Sequence, residues 1–422
     1  GFKRYGAEEW PFAGPFATRS EFSMAAAPVV PPPVRRSSDG DGDLLVMGRQ
    51  VGDKAWRSLS RVSLPPLLAH GGVEGVEVAA VEDRWLRVPS SAMVKDDGFG
   101  TSICALGDVN SDGFPDVLVG APKAVNGSIR LLFGADVAGA SFMHAWSLNL
   151  HPEPGSAGAF QPELVDADDL FGSSIALIRA ARTMHNVTDV TLAIGAPNTR
   201  GMEGGSMRSG AVHILGLRCE NSQFHVNVTS HSRFRFNSDW LSVRTVAPNA
   251  SSPGPPHAPW ESISLPEEAY FGASIASFGD VAGDGSAILA VGAPVLEPLQ
   301  SGAVFFFRVP LSPLQSSTPE VLAALPPAQG PLNDVSSKFG YSLAILLPCE
   351  IGPGNQWPSP SSDSLLFVSA PNLDYTGKQA GIVGYRLGFA DLHTGAPVPV
   401  SLPLNGGDGS KGAYIHVEDM SD

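Results

Sequence analysis

At 422 residues with 43% apolar content, the chain is long enough for one large array or several ordinary domains, and too apolar for wholesale disorder. A net charge of -15 argues against nucleic acid or an anionic membrane as partner. Its 47 glycines and 37 prolines exceed the roughly 12% usual for the two together and suit many short strands joined by many turns. Residues 1–38 carry Trp10, Phe12 and Phe16 and then Pro28-Val-Val-Pro-Pro-Pro-Val34, which predicts an extended, Pro-rich N-terminal linker. Over 39–94, Asp39-Gly-Asp41-Gly-Asp43 enters the apolar run Leu44–Met47, and Gly75–Val81 and Trp85–Val88 are candidate outer strands.

The stretch Phe99–Gly134 is the organising unit. Phe99-Gly100 opens an alternating run to Leu106; an Asp-rich turn leads to Val117-Leu-Val119, closed by Gly120-Ala121-Pro122, and Ile129–Phe133 follows. Three short strands cannot bury both faces alone, which directs attention to copies of the unit. Phe171-Gly172 leads to Gly195-Ala196-Pro197 and Gly210–Leu215. Phe271-Gly272 leads to Gly292-Ala293-Pro294 and Gly302–Phe307, and Phe339-Gly340 leads to Ser369-Ala370-Pro371 and Gly381–Tyr385. The widest step, between 171 and 271, holds either one blade with an elaborate outer strand or a hidden degenerate copy. The run 391–422 offers Val398–Leu402 and Tyr414–Val417 as an outer strand and the start of a further copy, or a C-terminal tail.

The strongest chemical signal is Asp108-x-Asn110-x-Asp112-Gly113-Phe114-x-Asp116. Calcium takes six to eight hard oxygens from a flexible loop, and side chains at alternate positions converge when such a chain curls tightly. Asp108, Asp112 and Asp116 would supply carboxylates, Asn110 its amide oxygen and Phe114 its carbonyl. Three carboxylates on one turn repel one another without a cation. A metal-free Asx-rich turn is the alternative. In the third copy Asp280 and Asp284 survive but the third and ninth positions are lost; the second and fourth copies have no such loop, Thr191 falling where the last Asp would be.

This pattern resembles the FG-GAP repeat of integrin α-subunit headpieces over roughly Lys95–Gly388. The resemblance implies an all-β fold, a β-propeller of FG-GAP repeats with four-stranded antiparallel blades, incomplete or with degenerate blades. The propeller repeats then fill 95–390 and a degenerate blade fills 39–94. It also implies Ca2+ in the nine-position loop between the first two strands of a blade. In such propellers one rim carries the partner-binding loops, here those after Gly-Ala-Pro at 123–126, 198–209 and 295–300.

Catalytic signatures are absent. The ten histidines show no HxH or HExxH spacing, no G-x-S-x-G occurs, and the GxGxxG match at Gly407–Gly412 precedes a strand-like run where a helix would be needed. Cys104 sits in an apolar run and reads as a buried thiol; Cys219 and Cys349 are left open between a pair and free thiols. Asn126, Asn186, Asn227 and Asn249 are N-x-S/T sequons in or beside expected turns. No run of 18 apolar residues occurs, and the start at Gly1 suggests an excerpt of a longer protein. The expectation is a non-enzymatic, calcium-stabilised extracellular or cell-surface module that binds a protein or glycan through rim loops, with a possible partner subunit. The alternatives are an accessory propeller of a larger secreted enzyme of the glycosylphosphatidylinositol-specific phospholipase D kind, whose zinc ligands find no counterpart here, or a structural wall or matrix component.

Overall fold

The computed structural model describes residues 20–27, 43–50, 57–63, 84–86, most of 97–148, 168–184, 187–200, 209–220, 225–235, 269–280, 284–295, 302–311, 319–325, 338–346, 364–370, 382–387, 399–401 and 413–415. All regular structure among them is β. Five antiparallel sheets follow one another along the chain, each a meander of sequential strands, the blade unit of a β-propeller.

The first sheet runs β1 (Ser20–Ala27), β2 (Asp43–Gln50), β3 (Arg57–Ser63), β4 (Arg84–Leu86). Its strand β1 falls inside the stretch assigned to a linker, so the sheet starts upstream of residue 39. The proline run lies between β1 and β2, and Ser20–Ala27 pairs along its whole length with Asp43–Gln50. The second sheet comprises β5 (Ile103–Gly107), β6 (Asp116–Ala121), β7 (Ser128–Val137) and β8 (Ala140–Leu148). The third holds β9 (Ser174–Met184), β10 (Val187–Ala196), β11 (Ala211–Glu220) and β12 (His225–Arg235). The described part of the wide step from 171 to 271 is therefore one blade, its outer strand being β12. The fourth holds β13 (Ser274–Gly279), β14 (Ser286–Ala293), β15 (Ala303–Pro310) and β16 (Glu320–Leu325).

The fifth sheet holds β17 (Leu343–Leu346), β18 (Ser364–Ser369), β19 (Ile382–Leu387), β20 (Pro399–Ser401) and β21 (Ala413–Ile415). Both β20 and β21 pair with β19, at Tyr385–Leu387 and Ile382–Gly384 respectively. The run at Tyr414 thus joins the existing sheet, and does not begin another blade.

Two compact units divide the chain: 1–167 with 180–190 and 216–229, and 168–179 with 191–215 and 230–422. In the second, strand burial is two-sided. Phe305 and Phe307 of β15 pack with Phe234 and Phe271 in one cluster, while Phe306, on the opposite face, joins Phe278, Phe339 and Leu366 in another. A strand covered on both faces must be apolar throughout, which is why these runs lack the half-polar alternation of a solvated sheet.

The repeated motifs stitch each blade and then its neighbour. The Phe-Gly glycine amide donates to the end of the second strand: Gly100 to Gly120, Gly172 to Gly195, Gly272 to Gly292 and Gly340 to Ser369, at 2.9, 3.0, 3.0 and 3.1 Å. The residue before the phenylalanine sits in the left-handed region in all four, as Gly98, Leu170, Tyr270 and Lys338, which closes a tight turn onto the amide three residues on. Within the second unit, Ser174 Oγ donates to Gly272 O of the next blade at 2.8 Å, and Ser274 Oγ to Gly340 O at 2.7 Å. A Cβ on Gly195 would land on Gly272 O, and one on Gly292 on Gly340 O. Close backbone approach between blades is therefore the physical requirement behind Gly-Ala-Pro.

Candidate metal centre

The turn 108–116 joins β5 to β6. It leaves β5 through a bulge at Gly107, whose φ of 75 lies in the left-handed region, and enters β6 at Asp116. The amide of Asp112 donates to both Asp108 Oδ1 (3.0 Å) and Asn110 Oδ1 (3.1 Å), so these two side-chain oxygens converge on one point. Asp112 in turn accepts from Asn110 Nδ2 at 2.8 Å and from the Phe114 amide at 2.8 Å. This is the curl that alternate Asx positions predict, and local side-chain to backbone bonds hold it.

Asp116 behaves differently. It is fully buried, and its two oxygens accept from the Val109 amide (2.8 Å) and from the Gly134 amide on β7 (2.9 Å). Burial pushes its carboxyl up to about 7, with the charges of Asp112 and Asp108 adding, against the two amides that favour the ionised form. It ties the turn to β7, while Asp108, Asn110 and Asp112 form the outer cradle.

Among the described residues, no three of His, Cys, Asp and Glu stand close enough to share one ion. The donors are nonetheless of the right chemistry for a hard cation: three carboxylates and an amide oxygen on a single curl, with no sulfur or imidazole. By donor type Asp108, Asn110, Asp112, the Phe114 carbonyl and Asp116 are the residues that would hold such an ion, although their three carboxylates do not gather on one point. What such an ion would supply is neutralisation of the turn's negative charge, a structural role.

Two participants reach the turn from outside it and leave no sign in the sequence: Gly134 of β7 and Arg182. Arg182 of β9 reaches Asp108 Oδ2 with its Nη2 at 3.4 Å. Nothing local in the sequence signals it, because the two residues lie 74 positions apart in different repeats.

The related turns differ as expected. In the fourth blade Asp280 Oδ1 accepts from the Asp284 amide and Oδ2 from the Gly285 amide, at 3.1 and 3.0 Å, while Ser286 donates to Asp284 at 2.9 Å. That turn closes on its own backbone. In the third blade β9 and β10 run to Met184 and resume at Val187, leaving no room for a nine-position loop.

The remaining sites divide as follows. Asn227 lies within β12, exposed on a strand and not in the turn expected for it; Asn126, Asn186 and Asn249 fall outside the described residues. Cys104 and Cys219 are buried, and burial pushes the Cys219 thiol up to about 12, with the carboxylates of Asp116 and Asp189 adding. Cys349 lies outside the described residues, as do most of the rim loops, 201–208 and 296–300. No helix among the described residues is long and apolar enough to cross a membrane.

The FG-GAP repeat family model matches residues 99–140. The chain is similar to integrin alpha-PS3 of Drosophila melanogaster, 44% identical over 55 residues, which is 13% of this chain and 5% of that protein. Among solved structures, the fructofuranosidase of Schwanniomyces occidentalis complexed with fructose aligns with a TM-score of 0.37 and 10% identity, over 82% of this chain and 54% of the other. The same enzyme complexed with fructosyl-erythritol aligns with a TM-score of 0.34 at equal identity and coverage. The motif stitching seen in four successive blades agrees with the family match to the second of the five sheets: residues 99–140 match the FG-GAP repeat, and the same Phe-Gly stitching recurs in the three sheets that follow.

Proposed function

We propose that this chain is a calcium-stabilised binding or adhesion module of the integrin-α-like type, acting outside the cell and without catalysis of its own. The observation that carries the reading is the complete Asx ladder, Asp108 to Asp116, in the same repeat that the family model matches. A hard cation there would rigidify the turn and so brace the blade, leaving recognition of a protein or glycan to the loops after Gly-Ala-Pro. The sequons at Asn126, Asn186, Asn227 and Asn249 support an extracellular setting, and Asn227 is exposed to carry a glycan.

The test is capture of extracellular-matrix proteins and an immobilised glycan set by the full chain, in calcium and in chelator. Replacing 201–208 by a Gly-Ser loop of equal length, which spares buried Asn198, Thr199 and Ser209, should abolish capture and leave the melting temperature unchanged. Capture indifferent to both calcium and the rim loops would overturn the reading.

A further inference from the structure

We infer that Asn227 carries an N-linked oligosaccharide that guards the outer edge of the third sheet; this rests on the extracellular setting proposed above. Strand β12, His225–Arg235, is the outermost strand of that sheet, and among the described residues no strand pairs with its far side. At 11 residues it is also the longest outer strand of the five sheets. An outer edge offers backbone amides and carbonyls to any strand from another molecule, and sheets ordinarily blunt it with lysine, proline or other charge. Strand β12 has neither proline nor lysine, and its two arginines, Arg233 and Arg235, stand at its C-terminal end. The stretch His225–Ser232 holds no formal charge, and the sequon Asn227-Val-Thr229 lies within it.

Residues two apart on a strand share a face. Asn227 and Thr229 are both exposed, while Val226 is buried on the opposite face and anchors the strand. The acceptor amide and the hydroxyl of the sequon thus lie together on an open surface, and the folded sheet accommodates a bulky product there. Transfer joins Asn227 Nδ2 to the anomeric carbon of a polyprenyl-diphosphate-linked oligosaccharide. The bond from that carbon to the diphosphate oxygen breaks, the lipid diphosphate leaves, and the amide nitrogen gives up one proton. A foreign strand laid along β12 would bring its side chains within about 5 Å of Asn227. The first sugars fill that volume, so edge-to-edge pairing is blocked where charge does not block it.

The experiment passes the full chain through the secretory pathway of cultured cells, as wild type, Asn227→Gln, Thr229→Ala, Thr229→Ser and Asn227→Lys. Glycopeptide mass spectrometry should find sugar at Asn227 in wild type and Thr229→Ser, and none at that position in the other three. By size-exclusion chromatography with light scattering, wild type and Thr229→Ser should keep a mass independent of concentration. The mass of Asn227→Gln and Thr229→Ala should rise with concentration, at least doubling. Asn227→Lys, which restores a guard without a sugar, should behave as wild type, and all five should melt alike when dilute. Sugar at Asn126, Asn186 or Asn249 but none at Asn227 would overturn the inference and leave the extracellular setting standing. An occupied Asn227 whose loss leaves the mass unchanged would overturn the guarding role. No sugar at any of the four would overturn the setting, and the inference with it.

Discussion

One position shows how the repeat accommodates very different side chains. The third residue after the strand-three glycine packs on the Phe-Gly phenylalanine in three successive blades: Arg130 over Phe99 (5.4 Å), His213 edge-on to Phe171 (5.1 Å) and Phe305 edge-on to Phe271 (6.2 Å). What lies beside the slot follows its occupant. Buried Arg130 pairs with buried Asp97 at 2.6 Å, whereas Phe305 is accompanied by Ala269 at the place of Asp97. An interior guanidinium needs its counter-ion, and an interior phenyl ring does not. His213 is the intermediate case, bonded through Nδ1 to His231 Nε2 at 2.9 Å and leaving Nε2 without a hydrogen-bond partner. Burial, then the charges of His231 and Arg233, hold its imidazole well below the usual range. A histidine that stays neutral when folded stabilises fully above the unfolded value of 6.5, and that contribution falls as pH drops below it, by about 1.4 kcal/mol per pH unit. His213→Phe, copying Phe305, should flatten the decline in melting temperature between pH 7 and pH 5. An unchanged acid limb would show that other groups govern it.

At the scale of elements, sequence and structure agree where a motif is backbone-driven. The strands flanking Phe-Gly and Gly-Ala-Pro fall where alternation and turn residues place them, because each motif fixes a backbone hydrogen bond or a close approach. Strand β1 was not legible: Ser20–Ala27 has no glycine or proline of its own to announce it, and the prolines beside it advertise a linker. Strand β3 escaped for the same reason. The Asx turn was legible in its inner bonds, which are local, but not in Gly134 or Arg182, which reach it from other strands. Pairs across blades leave no period in the chain. The same logic gives a prediction on the seam. Gly292→Ala would drive a Cβ into Gly340 O and Ser274 Oγ and should destabilise by about 3 kcal/mol, whereas Ser369→Gly should fall within about 0.5 kcal/mol of neutral. Paired thermal melts decide it, and equal effects would mean that the glycine is not required by the neighbouring blade.

For the molecule as a whole, that contrast carries topology. Gly195 and Gly292 each receive the carbonyl of the following Phe-Gly turn, but the fifth blade presents Ser369 at that place. Tyr341, beside the fifth blade's own Phe-Gly, is 57% exposed. In the second unit blades are stitched by close backbone approach, and a cation in the second blade would brace that blade's own turn. The most direct measurement is a set of thermal melts in calcium and in chelator, with calorimetric titration, on wild type and Asp112→Ala. The account predicts one site near unit stoichiometry and a calcium-dependent rise in melting temperature, both lost in Asp112→Ala, whose carboxylate links Asn110 and Phe114 at the centre of the turn. No binding heat and identical melts in calcium and chelator would contradict it.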